Sequence, residues 1–100
     1  MSSIAITRTD ETTHGAYRIE LPGIERPAEL TWRAKGEARI ADHTFVPDEM
    51  RGQGIAQKLV DALIEDARAQ GFTIVPQCSY VAAQFRRHPE WADLLADTPS

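Results

Sequence analysis

The segment RGQGIA, residues 51–56, places two glycines where the sequence predicts that a helix begins. A glycine within a helix costs about 1 kcal/mol relative to alanine, so two of them near a helix start require a reason. The first backbone N–H groups of a helix lack intrahelical partners, and the positive end of the helix dipole lies beside them. Phosphate oxygens satisfy both features, and glycine removes the side chains that would obstruct them. With the charge of Arg51, the segment predicts a diphosphate site.

Other interpretations of these glycines compete with a diphosphate site. The P-loop motif requires Gly-Lys-Ser/Thr after its spacer, which this segment lacks. The dinucleotide motif Gly-x-Gly-x-x-Gly is half matched, because Gly52 and Gly54 fit but Gln57 stands at the third glycine position. A third interpretation is that the glycines only form a tight turn between a strand and a helix.

Four strands are predicted before this segment. Residues 4–8 alternate weakly between apolar and polar side chains, residues 16–21 and 28–34 alternate clearly, and residues 38–46 form the fourth strand. Pro22 and Gly23 mark a turn, and KGE at residues 35–37 is typical of a hairpin. The first half of the chain is therefore predicted to be an antiparallel meander, with Trp32 in the core.

One long helix is predicted after Gly54. Apolar residues recur from Ile55 at spacings of three and four, and Gly71 is placed to cap the helix end. Residues 72–80 predict a buried strand, residues 81–87 a short helix, and residues 89–96 a final helical turn or two. Because a strand, helix and strand in series are joined by a right-handed crossover, the last strand should be parallel to its neighbour. The fold class is thus α/β (α+β), with a mixed, mostly antiparallel sheet.

Composition excludes several classes of protein. The chain has 100 residues, which suits a single domain over residues 1–100, and its formal net charge of -4 argues against binding nucleic acid. No apolar run is long enough for a membrane span, and the first residues do not resemble a signal peptide. The one cysteine, Cys78, suits a reducing, cytoplasmic location, and no zinc-site spacing or other metal site is predicted.

The glycine segment resembles the acetyl-CoA pyrophosphate loop of the GCN5-related N-acetyltransferases (GNAT). Their pattern, Gln/Arg-x-x-Gly-x-Gly/Ala, is matched by Arg51, Gly54 and Ala56. The blocks HTFVPDEMRGQGIAQKLV, VPQCSYV and FRRHPEW follow one another as in a short GNAT-like family, and the resemblance covers roughly residues 15–95. It implies a GNAT-like sheet with one long central helix and short C-terminal helices, and an acetyl-CoA-dependent N-acetyltransferase.

The resemblance also implies where coenzyme A binds. The strand carrying His43 would contain a bulge and splay from a strand carrying Cys78, and the pantothenate arm would lie in that gap. The implied cofactor contacts lie along the end of the fourth strand, in the glycine segment and in the short helix: Thr44, Phe45, Val46, Arg51, Gly52, Gln53, Gly54, Ile55, Ala56, Phe85 and Arg86.

Three residues are candidates for catalysis through the same resemblance. His43 would act as a base, and Cys78 would accept the acetyl group in a two-step route. A direct transfer, with Cys78 or Tyr80 near the leaving sulfur, is the alternative. Without the resemblance, His43 can be interpreted as a strand histidine that bonds to a neighbouring carbonyl. Cys78 can likewise be interpreted as a small buried hydrophobic side chain. The cluster Arg86–His88 suits either the nucleotide phosphates of coenzyme A or a solvated helix end.

The acceptor site is predicted to differ from that of larger GNAT enzymes. The chain has no room for the two helices that usually follow their first strand, so the acceptor site is expected to be open or completed by a partner. The acceptor is expected to be an amine of a small molecule or a protein, and the protein is predicted to be a monomer or weak homodimer. The competing hypotheses are a non-catalytic acyl-CoA-binding or sensing module and, against the acidic charge, a nucleic-acid module built around Arg86 and Arg87.

Overall fold

The computed structural model describes residues 5–96. Within these residues, five strands, two α-helices and two short 3-10 helices follow one another. They are β1 (Thr7–Asp10), β2 (His14–Ile19), β3 (Ala28–Lys35), β4 (Ala38–Phe45), the 3-10 helix Asp48–Met50, α1 (Ile55–Gln70), β5 (Thr73–Pro76), α2 (Ser79–Arg87) and the 3-10 helix Pro89–Leu94.

The five strands form one sheet in the order β1-β2-β3-β4-β5. The first four are antiparallel to their neighbours, and β5 lies parallel to β4 after the crossover through α1. The predicted mixed, mostly antiparallel sheet is therefore confirmed. The first strand lies further along the chain than the predicted residues 4–8, since β1 covers Thr7–Asp10. Ile4, the first residue of the predicted strand, lies outside the described residues.

The core lies between the sheet and α1. Side chains from β2 and β3, among them Tyr17, Leu30 and Trp32, are at most 2% exposed and pack with the apolar side of α1. This confirms the core position predicted for Trp32. The helix ends as predicted at Gly71, whose φ of 82° suits glycine and whose N–H donates to the Ala67 carbonyl at 2.8 Å.

A hydrogen-bonded group fixes α1 against the sheet and identifies the two sheet faces. Asp66 of α1 accepts bonds from the Tyr17 hydroxyl at 2.8 Å and from Arg8 Nε at 2.9 Å. Burial and the bond to Asp66 raise the pKa of Tyr17, so the phenol stays protonated. Since residues opposite one another in a ladder share a face, Tyr17 and its partner Leu30 mark the helix-facing side. The side that points away from α1 is called the outer face below.

The chain after β5 departs from the predicted strand at residues 72–80. The strand ends at Pro76, which has no N–H to donate to a continuing ladder. Cys78 then stands at the N-cap of α2, and its carbonyl accepts the N–H of Ala82 at 2.9 Å. Cys78 therefore lies at a helix start and not on a strand, and the short helix predicted at residues 81–87 begins at Ser79.

Candidate active site

A β-bulge interrupts β4 at Asp42. In the ladder with β3, Thr31 lies opposite His43 and Trp32 opposite Ala41, so Asp42 is the extra residue. Its carboxylate accepts hydrogen bonds from Thr31 Oγ1 at 2.6 Å and Arg33 Nε at 2.9 Å. Partial burial raises the pKa of Asp42, but these two bonds outweigh it, so the net pKa lies below its ordinary value. The bulge that the family resemblance implied is thus present.

The bulged half of β4 separates from β5. The two strands pair only from Ala38 opposite Thr73 to Ala41 opposite Pro76. Beyond them, the N–H of Cys78 donates to the Ala41 carbonyl at 2.8 Å. From there β4 runs on to Phe45, whereas the other chain turns into α2. The predicted gap is therefore present, but it is bounded by the start of a helix where a second strand had been expected.

Cys78 and Thr44 meet across this gap. The Cys78 thiol donates a hydrogen bond to Thr44 Oγ1 at 3.4 Å, and the same hydroxyl can turn to donate to a thiolate. Partial burial raises the pKa of Cys78, but hydrogen bonds from Thr44 and from the backbone of Val81 and Tyr80 lower it by more. The net pKa lies below its ordinary value, as is typical of a cysteine at a helix N-terminus.

Residues 51–56, called the glycine loop below, form an open cradle at the start of α1. Gly52 has φ 83° and Gly54, the N-cap of α1, has φ 71°, which are conformations that side chains disfavour. A Cβ at either position would meet nothing within 4 Å. No side chain caps α1, and its first turn contains no acidic residue. The helix start thus keeps both its N–H groups and the space in front of them, which fits a diphosphate.

Arg51 is less available than the sequence suggested. Its Nε lies 3.1 Å from Asp48 Oδ1, and both side chains are largely exposed, 74% and 88%. A pair this exposed is weak, because water screens it. Asp48 nevertheless places a negative charge beside a loop that is expected to bind an anion.

Two hollows along the end of β4 meet at Val46 and Arg51. One, of about 180 Å³, is lined by Val46, Met50, Arg51, Gly52, Gly54, Ile55, Ala56, Gln57 and Tyr80. The other, of about 510 Å³, is lined by Arg26, Thr44, Phe45, Val46, Pro47, Asp48, Glu49 and Arg51. Most of the predicted cofactor contacts therefore line these two adjoining hollows, together called the groove below, which lie between the bulged strand and the glycine loop.

The other predicted site residues are placed as follows. Tyr80 faces the glycine loop, and its pKa is raised chiefly by partial burial, so it remains a phenol and a hydrogen-bond donor at neutral pH. His43 is exposed, and it lies on the outer face because its ladder partner is Thr31. Thr44, opposite Leu30, lies on the other face. The structure thus brings Cys78 to Thr44, and the hydrogen bonds of residues 5–96 do not join His43 to Cys78.

The C-terminal cluster divides into packed and exposed members. The Phe85 ring is 8% exposed and packs edge-on against Trp91, with ring centres 5.5 Å apart. His88 stacks on Trp91 at 4.1 Å and bonds to Glu90 at 3.0 Å. His88 therefore belongs to the packing of the C-terminal turn and not to a basic surface cluster. Arg86 and Arg87 remain exposed.

Sequence reasoning missed the side chains that surround the bulge. Thr31, Arg33 and Asp42 were not singled out, and neither was Gln77, whose Oε1 accepts a bond from Arg33 Nη2 at 3.2 Å. One signal was present: strict alternation from Ala38 placed Asp42 on the same face as Thr44 and Val46. A carboxylate in an apolar row of a strand indicates that the register changes there.

Comparison with known proteins is consistent with this geometry. The family model described as GCN5-related N-acetyl-transferase matches residues 16–94. The chain is similar to the NMR structure of a candidate GCN5-like N-acetyltransferase from Staphylococcus aureus, with TM-score 0.73 and 27% identity over 99% of this chain and 94% of that one. It shares its fold with the crystal structure of ribosomal-protein-alanine N-acetyltransferase from Brucella melitensis biovar Abortus 2308, with TM-score 0.60 and 23% identity over 91% of this chain and 71% of that one.

Residues 5–96 contain no cluster of three His, Cys, Asp or Glu side chains that could hold a metal ion, and none of their helices is long and apolar enough to cross a membrane.

The family model extends from β2 to the last 3-10 helix, so it includes both the glycine loop and Cys78. The resemblance drawn from the sequence is therefore confirmed: this chain is a member of the GCN5-related N-acetyltransferase family and has an acetyltransferase fold.

Proposed function

We propose that the protein transfers the acetyl group of acetyl-CoA to an amine and that Cys78 is the first acceptor of that group. One observation supports this role above all others. Cys78 lies at the start of α2, beside the gap where β4 and β5 separate, and its thiol bonds to Thr44. A cysteine with a lowered pKa, bonded to a residue that lines the groove, has the chemistry of a nucleophile.

The proposal places acetyl-CoA along the groove. In this proposal, backbone N–H groups of the glycine loop hold the pyrophosphate, and the backbone at Phe45 and Val46 pairs with the pantothenate arm. The Tyr80 side chain lines the hollow at the glycine loop, so its hydroxyl would donate to a phosphate oxygen, and the exposed Arg86 would meet the nucleotide phosphates. Because Phe85 is buried, its predicted contribution to the site becomes the packing that holds α2 in place.

The proposed reaction has two steps. The Cys78 thiolate attacks the thioester carbon, the new bond from carbon to sulfur forms, and the bond to the coenzyme A sulfur breaks. The departing thiolate takes a proton from water. An amine then attacks the acetyl-cysteine, the bond from carbon to nitrogen forms, and the Cys78 thiolate leaves. The amine proton is lost to a base, for which His43 is the candidate.

His43 lies apart from the proposed nucleophile. It lies on the outer face, whereas Thr44 and the Cys78 thiol meet on the helix-facing side. A base on the outer face could receive a proton from an amine that arrives from that side. Direct transfer, with His43 as base and Tyr80 or Cys78 as acid, remains the competing mechanism.

The proposal leaves the acceptor as an amine of a small molecule or a protein. It also includes the expectations that residues 1–100 act as a single domain and that the protein is a monomer or weak homodimer. Size-exclusion chromatography with light scattering over a range of concentrations tests the oligomeric state, and a stable dimer would contradict it.

Mass spectrometry after incubation with isotope-labelled acetyl-CoA tests the proposal. We expect one labelled acetyl group on the peptide containing Cys78, none in Cys78→Ala, and loss of the label when a mixture of amines is added. Turnover that persists in Cys78→Ala but not in His43→Ala would indicate direct transfer. Binding of acetyl-CoA without label or turnover would indicate the non-catalytic module and would refute the proposed function.

A further inference from the structure

Arg33 joins the two sides of the place where β4 and β5 separate. Its Nε donates to Asp42 Oδ2 at 2.9 Å, and its Nη2 donates to Gln77 Oε1 at 3.2 Å. Thr31 Oγ1 donates to the other carboxylate oxygen of Asp42 at 2.6 Å. Asp42 is the bulge residue of β4, and Gln77 directly precedes Cys78. These four residues are called the Arg33 network below.

The bulge determines which way Thr44 points. Because side chains alternate along a strand, loss of the bulge would place Thr44 opposite Glu29, on the outer face and away from Cys78. The two bonds to Asp42 hold the bulge at its present position against β3. The bond to Gln77 holds the other side of the gap, one residue before the thiol.

We infer that the Arg33 network positions Thr44 against the Cys78 thiol, so that Asp42, Arg33 and Gln77 control the reactivity of this thiol without touching it. They are positioning residues, since the thiol itself bonds to Thr44. The biological meaning of the inference rests on the proposed role of Cys78 in acyl transfer. Thiol reactivity, however, can be measured without acetyl-CoA.

The sign of the effect separates positioning from simple electrostatics. The groups that face the thiol are the Thr44 hydroxyl and the backbone of Tyr80 and Val81. If Asp42 acted on the thiol only through its negative charge, its neutralisation would favour the thiolate and speed alkylation. If Asp42 acts by positioning Thr44, the same change weakens a hydrogen bond to the thiolate and slows alkylation. The two explanations predict opposite changes in rate.

Iodoacetamide alkylation of the full chain over a range of pH is the test, with Asp42→Asn and Gln77→Ala as the variants. We expect alkylation near pH 7 to be about threefold slower in Asp42→Asn, and slower by a smaller factor in Gln77→Ala, because fewer thiols are ionised. Glu29→Gln is the matched control. It removes the negative charge from the Arg18–Glu29 pair, N···O 3.2 Å, which also lies on the outer face but joins β2 to β3. Its rate should equal that of the wild type.

Each outcome bears on the inference. Rates in Asp42→Asn and Gln77→Ala that equal or exceed the wild-type rate would overturn it, and so would an equal slowing in Glu29→Gln. If circular dichroism shows that Asp42→Asn does not fold, Gln77→Ala decides the matter, because Gln77 is exposed. Failure of the wild type to acquire an acetyl group would refute the proposed function, but it would leave these alkylation rates interpretable.

Discussion

The glycine loop and the gap at Cys78 are built in different ways. The loop is a backbone site: two glycines with positive φ hold it open, and no side chain caps the helix behind it. The gap is a side-chain site, in which a bulge, the Arg33 network and Thr44 together determine where the thiol lies. A backbone site depends on which residues have no side chain. A side-chain site depends on contacts between residues that are far apart in sequence.

The largest expected effect is on the backbone site. Gly52→Ala should lower the affinity for coenzyme A by about tenfold or more, because a Cβ there enters the open cradle and disfavours the positive φ. Gly36→Ala is the matched control, since Gly36 has φ 59° and equally open surroundings in the β3–β4 hairpin. Both variants should lose roughly 1–2 kcal/mol of unfolding free energy in urea, from backbone strain. If calorimetry finds the same affinity for coenzyme A in the two variants, the glycine loop is not the binding site.

The next effect concerns the side-chain site. Thr44→Val should slow alkylation of Cys78 near pH 7 by about threefold, because the thiolate loses one hydrogen bond. Thr44→Ser should restore most of the rate. In the wild type, the rate should reach half of its plateau at a pH below about 8.5, the ordinary pKa of cysteine. A wild-type midpoint at or above that value would show that the thiol is not activated.

The pKa of Cys78 also predicts a direction for stability. Because the folded-state pKa lies below that of the unfolded chain, the unfolded state binds more protons between the two values. This contribution to stability is present above the unfolded-state pKa and is lost as the pH falls through the folded-state pKa. Urea unfolding at several pH values should therefore show that the stability gained from pH 7 to 9 is greater in the wild type than in Cys78→Ala. An equal pH dependence of the unfolding free energy in the two proteins would contradict a lowered pKa for Cys78.

The smallest expected effect tests the charge at the mouth of the loop. Asp48→Asn should raise the affinity for coenzyme A by about twofold, because it releases Arg51 and removes a negative charge near the phosphates. The gain should diminish at high salt, since both side chains are exposed. A loss of affinity at low salt would show that Asp48 supports the loop and does not oppose the anion.

The same contrast explains how much could be predicted from the sequence. Local signals identified the glycine loop, the helix from Ile55 to Gln70, the Gly71 cap and the meander, because each depends on residues close together in the chain. The strand predicted over residues 72–80 was too long, since Pro76 ends the ladder and Cys78 begins a helix. The Arg33 network could not be predicted, because Arg33 and Gln77 are 44 positions apart and only the completed sheet brings them together.

The central claim is that acetyl-CoA binds along a groove from the glycine loop to Cys78. Titration of the ¹⁵N-labelled protein with coenzyme A, followed by backbone amide NMR, tests it most directly. The account predicts saturable shifts that are largest at the N–H groups of Gly52 through Ala56, with further shifts at Thr44, Val46 and Cys78. An absence of saturable shifts, or shifts confined to residues remote from the loop, would contradict it.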